Sequence, residues 1–268
     1  MKYLFFFLIF VLLSVSIGNA QSLIEIDNKL VAYLNKITYW DEYDYKDNTV
    51  SKEDSLDKTN ADLSNYLKKI CSQNPATIRA TFSNAQKMRL TIVSSNDNKL
   101  RLYSWDSRMG GTMRYYEDLA QYQSNNGLMV CDMKDTTMEG DYGGDYRSVV
   151  TIHTKEGKTV YMVQDYSIVS TKDRAESITA YTIEGESLKK ISIFRTKNQS
   201  LNTIGYGYDV FTSSDKFPKS DIPTIHFSKD KQKLYIPIVS GPYNEDVTNK
   251  NLVYVFDGNN YVFDKNTK

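Results

Sequence analysis

The sequence predicts a mainly β protein with an N-terminal helical pair. Its strands form antiparallel four-stranded units, in a propeller-like or irregular β repeat. Three observations predict this. Apolar residues step by three and four before residue 75 and by two after residue 88. A grammar of strand, turn and strand recurs three times beyond residue 88. Tyrosine, at 21 residues, brings a large apolar face with a polar tip, which suits half-buried strands and binding surfaces alike. A β-sandwich or barrel is the alternative.

The first element is an address. Lys2 precedes an apolar run, Leu4 to Leu13, and Gly18-Asn19-Ala20 forms a small-residue exit. This is the pattern of a secretory signal peptide over 1–20, with Gln21 as the first mature residue. An uncleaved anchor competes with it, but the run falls short of the roughly 20 apolar residues that span a bilayer. No cysteine near the exit offers a lipid attachment point, and no later run has spanning length. The expected location is secreted or periplasmic, with no transmembrane segment after cleavage.

Residues 21–87 read as a helical segment and 88–268 as an antiparallel β domain. Leu23, Ile26, Leu30, Leu34 and Ile37 make one helical stripe. The segment Trp40 to Tyr45 is aromatic and acidic without helical period. A second helix starts near Ser51, where Asp54 completes a pattern like a capping box. Its stripe is Leu56, Leu63, Leu67 and Ile70, and Asn74-Pro75 stops it.

The repeated grammar is specific. Thr91-Ile92-Val93, Thr151-Ile152-His153 and Thr224-Ile225-His226 each precede a polar turn and a second apolar strand. Further turns at Ser124-Asn125-Asn126-Gly127, Glu184-Gly185-Glu186 and Asp257-Gly258-Asn259-Asn260 lead to fourth strands. The units lie near 89–133, 148–194 and 223–263. A true repeat makes Ile92, Ile152 and Ile225 equivalent, and likewise Leu102, Met162 and Ile236. Pro237 cannot donate to a ladder, so its strand should be an edge or bulged there.

Lys+Arg and Asp+Glu both number 33, so no basic footprint points to nucleic acid. Cys71 and Cys131 allow one disulfide in an oxidising compartment, or two free thiols; neither has zinc spacing. His153 and His226 fall at matching places in the second and third units, either as a shared metal pair or as ordinary strand residues. No G-x-S-x-G elbow appears, and the Gly110-Gly111 and Gly143-Gly144 loops lack a phosphate-loop pattern. The sequon at Asn198 matters only on a eukaryotic secretory route.

The candidate binding loops are 40–47, 105–112, 139–146 and 205–209. Their aromatic candidates are Trp40, Tyr43, Tyr45, Trp105, Tyr142, Tyr146, Tyr206 and Tyr208. Tyr206 and Tyr208 read as an exposed aromatic loop, and Trp105 as a core residue or a stacking platform. Asp141 and Asp145 are candidate ligands for calcium, since hard cations take clustered carboxylates.

The run Leu102 to Asp106 with Gly110-Gly111-Thr112, and the final Leu252 to Gly258, join the signal exit at Ala20. On these motifs the chain resembles uncharacterised secreted proteins of Bacteroidota-type bacteria, a resemblance that implies no activity. Two functions fit the sequence. One is an exported non-catalytic binding or interaction protein for an extracytoplasmic glycan or protein. The other is a hydrolase of an extracellular polymer, with two of Asp41, Asp44, Asp141 and Asp145 facing each other across a cleft.

Overall fold

A computed structural model describes residues 21–43, 50–134, 141–218, 221–241 and 246–265. The signal reading of 1–20, and the candidates Asp44 and Tyr45, lie outside the described residues. No helix among the described residues is long and apolar enough to cross a membrane.

Helix α1 spans Leu23–Glu42 and α2 spans Lys52–Gln73. Ser22 and Glu25 form a reciprocal capping box on α1, unremarked at the sequence level. Ser51 caps α2 by accepting from the Asp54 amide at 3.1 Å. The 40–42 segment continues α1 rather than leaving it. A 3-10 turn, Pro75–Arg79, and a short helix α3, Ser83–Lys87, complete this layer. Buried Asp27 of α1 accepts from the Asn84 and Ala85 amides and so caps α3 from a distance.

Three antiparallel meanders follow. The first sheet is β1 (Thr91–Ser94), β2 (Leu100–Asp106), β3 (Tyr116–Ser124) and β4 (Gly127–Asp132). The second is β5 (Asp145–His153), β6 (Thr159–Ile168), β7 (Asp173–Glu184) and β8 (Ser187–Lys190), with β11 (Thr203–Asp209) paired to the other half of β7. The third is β12 (His226–Phe227), β13 (Lys233–Ser240), β14 (Asp246–Phe256) and β15 (Tyr261–Phe263). Short strands β9 (Phe194–Arg195) and β10 (Ser200–Leu201) extend it, β9 running parallel to β15. Helix α4, Val210–Lys216, follows β11. The β13–β14 register shifts between Pro237 and Val239, the bulge that proline requires.

The layers stack in chain order. Helical Leu30, Leu34, Leu63 and Leu67 share a core with Tyr103, Trp105 and Leu119 of the first sheet. The other face of that sheet, Leu100, Leu102 and Ala120, packs on Tyr161, Val163 and Tyr181 of the second. Val160, Met162 and Ile178 of the second pack on Leu234, Ile236 and Tyr254 of the third.

The repeat is real in the turns but not where the Thr-Ile pattern put it. Ser95 Oγ donates to Asp97 Oδ1 at 2.6 Å and accepts from Leu100 N at 3.0 Å. Ser228 Oγ does the same with Asp230, at 2.6 Å, and Lys233 N, at 2.9 Å. Asn98 and Lys231 take the same left-handed conformation, φ 55° and 60°. In the second unit Thr154 replaces the serine, Gly157 takes the positive φ, and the turn is one residue shorter. Side chains alternate faces along a strand, so one residue inverts the phase. Aligned on the turns, Ile92, Thr151 and Ile225 face the preceding layer, as do Tyr103, Tyr161 and Ile236. Ile152 instead matches Val93 and His226. The expected equivalences of Ile152 with Ile92, and of Leu102 with Met162 and Ile236, are therefore corrected, and so is the pairing of His153 with His226.

Cys71 and Cys131 are free. Cys71 belongs to the helical core, whereas Cys131 pairs opposite Ala120 on the face toward the second sheet. The first sheet separates the thiols, so the disulfide expectation fails on geometry.

Candidate functional site

Antiparallel meanders sort their connections to two ends. The tight turns gather at one end; the β2–β3, β4–β5 and β6–β7 connections gather at the other. At that second end a cavity of about 450 Å³ opens between the first and second sheets. Its walls include Asp118, Tyr146, Asp165 and Tyr181, with Asp141 and Tyr142 at the loop that crosses it.

Asp118 stands in phase with Ala120 and Tyr122 on the β3 face that meets the second sheet. Asp165 stands in phase with Tyr161 and Val163 on the β6 face that meets the first. Each apolar row thus ends in a carboxyl group at the cavity. Asp118 accepts from the Tyr146 hydroxyl at 3.0 Å and the Lys134 amide at 3.1 Å. Burial pushes its carboxyl up to about 7, against the Tyr146 bond and the nearby Lys134 charge. Asp165 accepts from the Ser177 hydroxyl, and burial pushes it up to about 6, with Glu176 and Asp141 adding repulsion. Burial also raises Tyr146 well above the ordinary phenol value.

The loop over the cavity is fixed by backbone chemistry. The Tyr116 amide donates to the Tyr142 carbonyl at 2.8 Å. Gly143 has φ +66°, and a Cβ there would overlap the Tyr116 carbonyl. A Cβ on Gly144 would meet Asp165 Oδ2 at 3.0 Å. The glycine pair therefore lies against both carboxyl groups without filling the space beside them. The Tyr142 ring, 40% exposed, stacks on Tyr115 at 4.6 Å and 10°. A register shift between Tyr146 and Ser148 lets both Tyr146 and Val149 face the first sheet.

A second cavity, about 410 Å³, abuts the first and shares Arg114 and Ile168 with it. Arg89, Arg108, Asp106 and Asp145 line it. Asp106 pairs with Arg114 at 3.3 Å and Arg108 at 3.6 Å; Asp145 pairs with Arg147 at 3.2 Å.

The sequence candidates divide sharply. Asp141, Tyr142 and Tyr146 belong to the first cavity. Trp105 is core, and its indole donates to Asn60 at 2.8 Å, which leaves no stacking platform. Trp40 packs on the helical core, edge-on to Tyr39 and Tyr43. Tyr206 and Tyr208 lie in β11, not in an exposed loop. Tyr206 donates to buried Glu176 and to the Pro223 carbonyl, both at 2.8 Å, and so ties the second sheet to the third. Asp141 lines the first cavity and Asp145 the second, and no group of three metal-ligating side chains occurs among the described residues. Asp41 pairs with Lys52 at 3.8 Å and with Arg108 at 3.7 Å. His153 and His226 are exposed, His153 beside Thr159 and His226 stacked on Tyr235 at 4.9 Å.

Asp118 and Asp165 were missed. The signal was present: each is a carboxylate in phase with a buried row, where alternation calls for an apolar residue.

Fold and site together define a stacked-sheet β protein with a carboxyl-lined cavity at its long-loop end. No protein-family model matches the chain, and no curated protein matches it significantly.

Proposed function

We propose that this is an exported, non-catalytic binding protein that holds a small ligand in the cavity between its first two sheets. One observation carries the reading. A cavity of about 450 Å³, walled by buried polar groups and crossed by a glycine pair, lies where three inter-strand connections converge. Buried carboxyl groups with displaced titration are costly in a purely structural role and concentrate at functional sites. The three meanders serve as propeller-like blades, the first and third repeated through Ser-x-Asp turns and the second through the shorter Thr154 turn, that hold the loops rigidly. Export rests on the signal pattern of residues 1–20.

The test is equilibrium binding against glycan and peptide arrays, repeated with Ala175→Trp. Ala175 is a half-buried wall residue, so the indole fills the cavity without displacing the core. Binding lost in this variant supports the reading. A ligand held equally well by the variant overturns it.

The hydrolase reading keeps one supporting observation, the carboxyl groups of buried Asp118 and half-buried Asp165 on facing strands. Product analysis on the same arrays separates the two: turnover abolished by Asp118→Asn would replace binding with catalysis.

A further inference from the structure

We infer that the two abutting cavities together take a short peptide with free termini, its ammonium group in the carboxyl-lined cavity and its carboxylate in the arginine-lined one. The inference rests on reading the first cavity as the ligand site and names the chemistry of that ligand.

The cavities differ in charge and share a wall. The first presents Asp118, Asp141 and Asp165 with exposed Lys190; the second presents Arg89 and Arg108 with Asp106 and Asp145; Arg114 and Ile168 are common to both, so carboxylates outnumber cations in the first and arginines outnumber carboxylates in the second. Among the described residues neither Asp118 nor Asp165 forms an ion pair; nearby Lys134 pairs with Glu117 at 2.8 Å instead. An ammonium group supplies three donors and a positive charge that neither Lys190 nor Arg114 brings into an ion pair with these two carboxyl groups. The Tyr142 ring at the mouth offers an aromatic face to the same cation. In the second cavity Arg108 is engaged by Asp41 at 3.7 Å and Asp106 at 3.6 Å. Arg89, exposed on the cavity wall at φ 68°, has no ion-pair partner among the described residues, and its guanidinium suits a terminal carboxylate. Arg114 separates the two cavities, so the ligand's opposite charges must be further apart than in a single amino acid.

Titration supplies an independent readout. The groups around Asp118 and Asp165 are Tyr146 of β5, Tyr181 of β7, Cys131 of β4, Lys134, Asp141 and Glu176, with Arg114 and Lys190 on the same cavity wall. Tyrosine and cysteine here are pushed further from neutrality by burial, and burial raises the Glu176 carboxyl as it does the two aspartates, so the carboxyl groups are what ionise as pH rises toward 7. An ammonium ligand prefers them charged, and its affinity must rise over that range.

The experiment is calorimetric binding of trialanine, N-acetyltrialanine and trialanine amide to the wild-type protein, between about pH 5 and pH 8, with Arg89→Gln and Ala175→Trp as variants. The expected result is that either blocked end weakens binding by about tenfold or more. Affinity for the free peptide rises from about pH 5 to about pH 7, below the α-amino value of about 8 at which the ligand itself loses its charge, and Arg89→Gln removes the penalty for amidation. Equal binding of acetylated and free peptides overturns the inference, as does no peptide binding at all. A neutral saccharide held in the cavity and lost in Ala175→Trp overturns the peptide while leaving the cavity as the ligand site. Peptide binding that survives Ala175→Trp removes both.

Discussion

At its tight-turn end the sheet stack repeats almost atom for atom. Ser95-x-Asp97 and Ser228-x-Asp230 make the same three side-chain bonds, and Asn98 and Lys231 take the same backbone conformation. At its long-loop end the described parts of the connections share no such turn, and buried Asp118 and half-buried Asp165 end rows that otherwise carry apolar side chains. The contrast separates two demands on one chain. The turns satisfy their own polar groups locally, so a short pattern suffices to specify them. The carboxyl groups depend on strands far apart in sequence, and burial works against their charge.

The largest test of this contrast is pH. The Asp118 carboxyl titrates near 7 in the folded state and near 4 in the unfolded chain. Its folded-state value is raised, so the stability it confers is present at low pH and is lost as pH rises from about 4 to about 7. For this group alone the loss approaches about 4 kcal/mol. Urea unfolding across that range should show stability falling, and Asp118→Asn should flatten the fall. An unchanged slope in the variant would mean the long-loop end carries no such strain.

Next come the rows between sheets. Ile152→Ala and Ile225→Ala should each cost about 2–5 kcal/mol, because both side chains are buried between the second and third sheets. Ile92→Ala should cost less, since Ile92 is half-buried against the helices. Equal losses at all three sites would restore the Thr-Ile equivalence that the turn alignment replaced.

The smallest effect lies in the turns. Asp97 also accepts from Tyr161 Oη at 3.0 Å, across to the next sheet. Among the described residues Asp230 accepts only within its own turn, from Ser228 Oγ and the Gln232 amide. Asp97→Ala should therefore cost about 1 kcal/mol more than Asp230→Ala, and Tyr161→Phe should erase the difference in a double-mutant cycle.

Much of the fold was legible because its signals are local. The leucine stripes marked α1 and α2, the two-residue period marked β1 to β7, and proline marked the bulge in β13. The phase of the second unit was not, because a turn shorter by one residue leaves the Thr-Ile pattern intact while inverting its faces. Strands β9, β10 and β11 were missed for another reason. They complete sheets begun by distant segments, and nothing nearby announces those partners. Of the site, the loop 141–146 was visible as an acidic and aromatic cluster. Asp118 and Asp165 were hidden inside good strands, where a single carboxylate looks like an outward-facing residue until the phase is known.

The turn alignment places His226 and Tyr235 where the first two units carry Val93 with Leu102 and Ile152 with Val160. In a linear array each unit presents a template for the next, and an aliphatic terminal template would recruit another molecule head to tail. The imidazole and phenol, ring on ring, are content in water. At this position the last sheet therefore carries a hydrogen-bonding surface where the two inner sheets carry an aliphatic one.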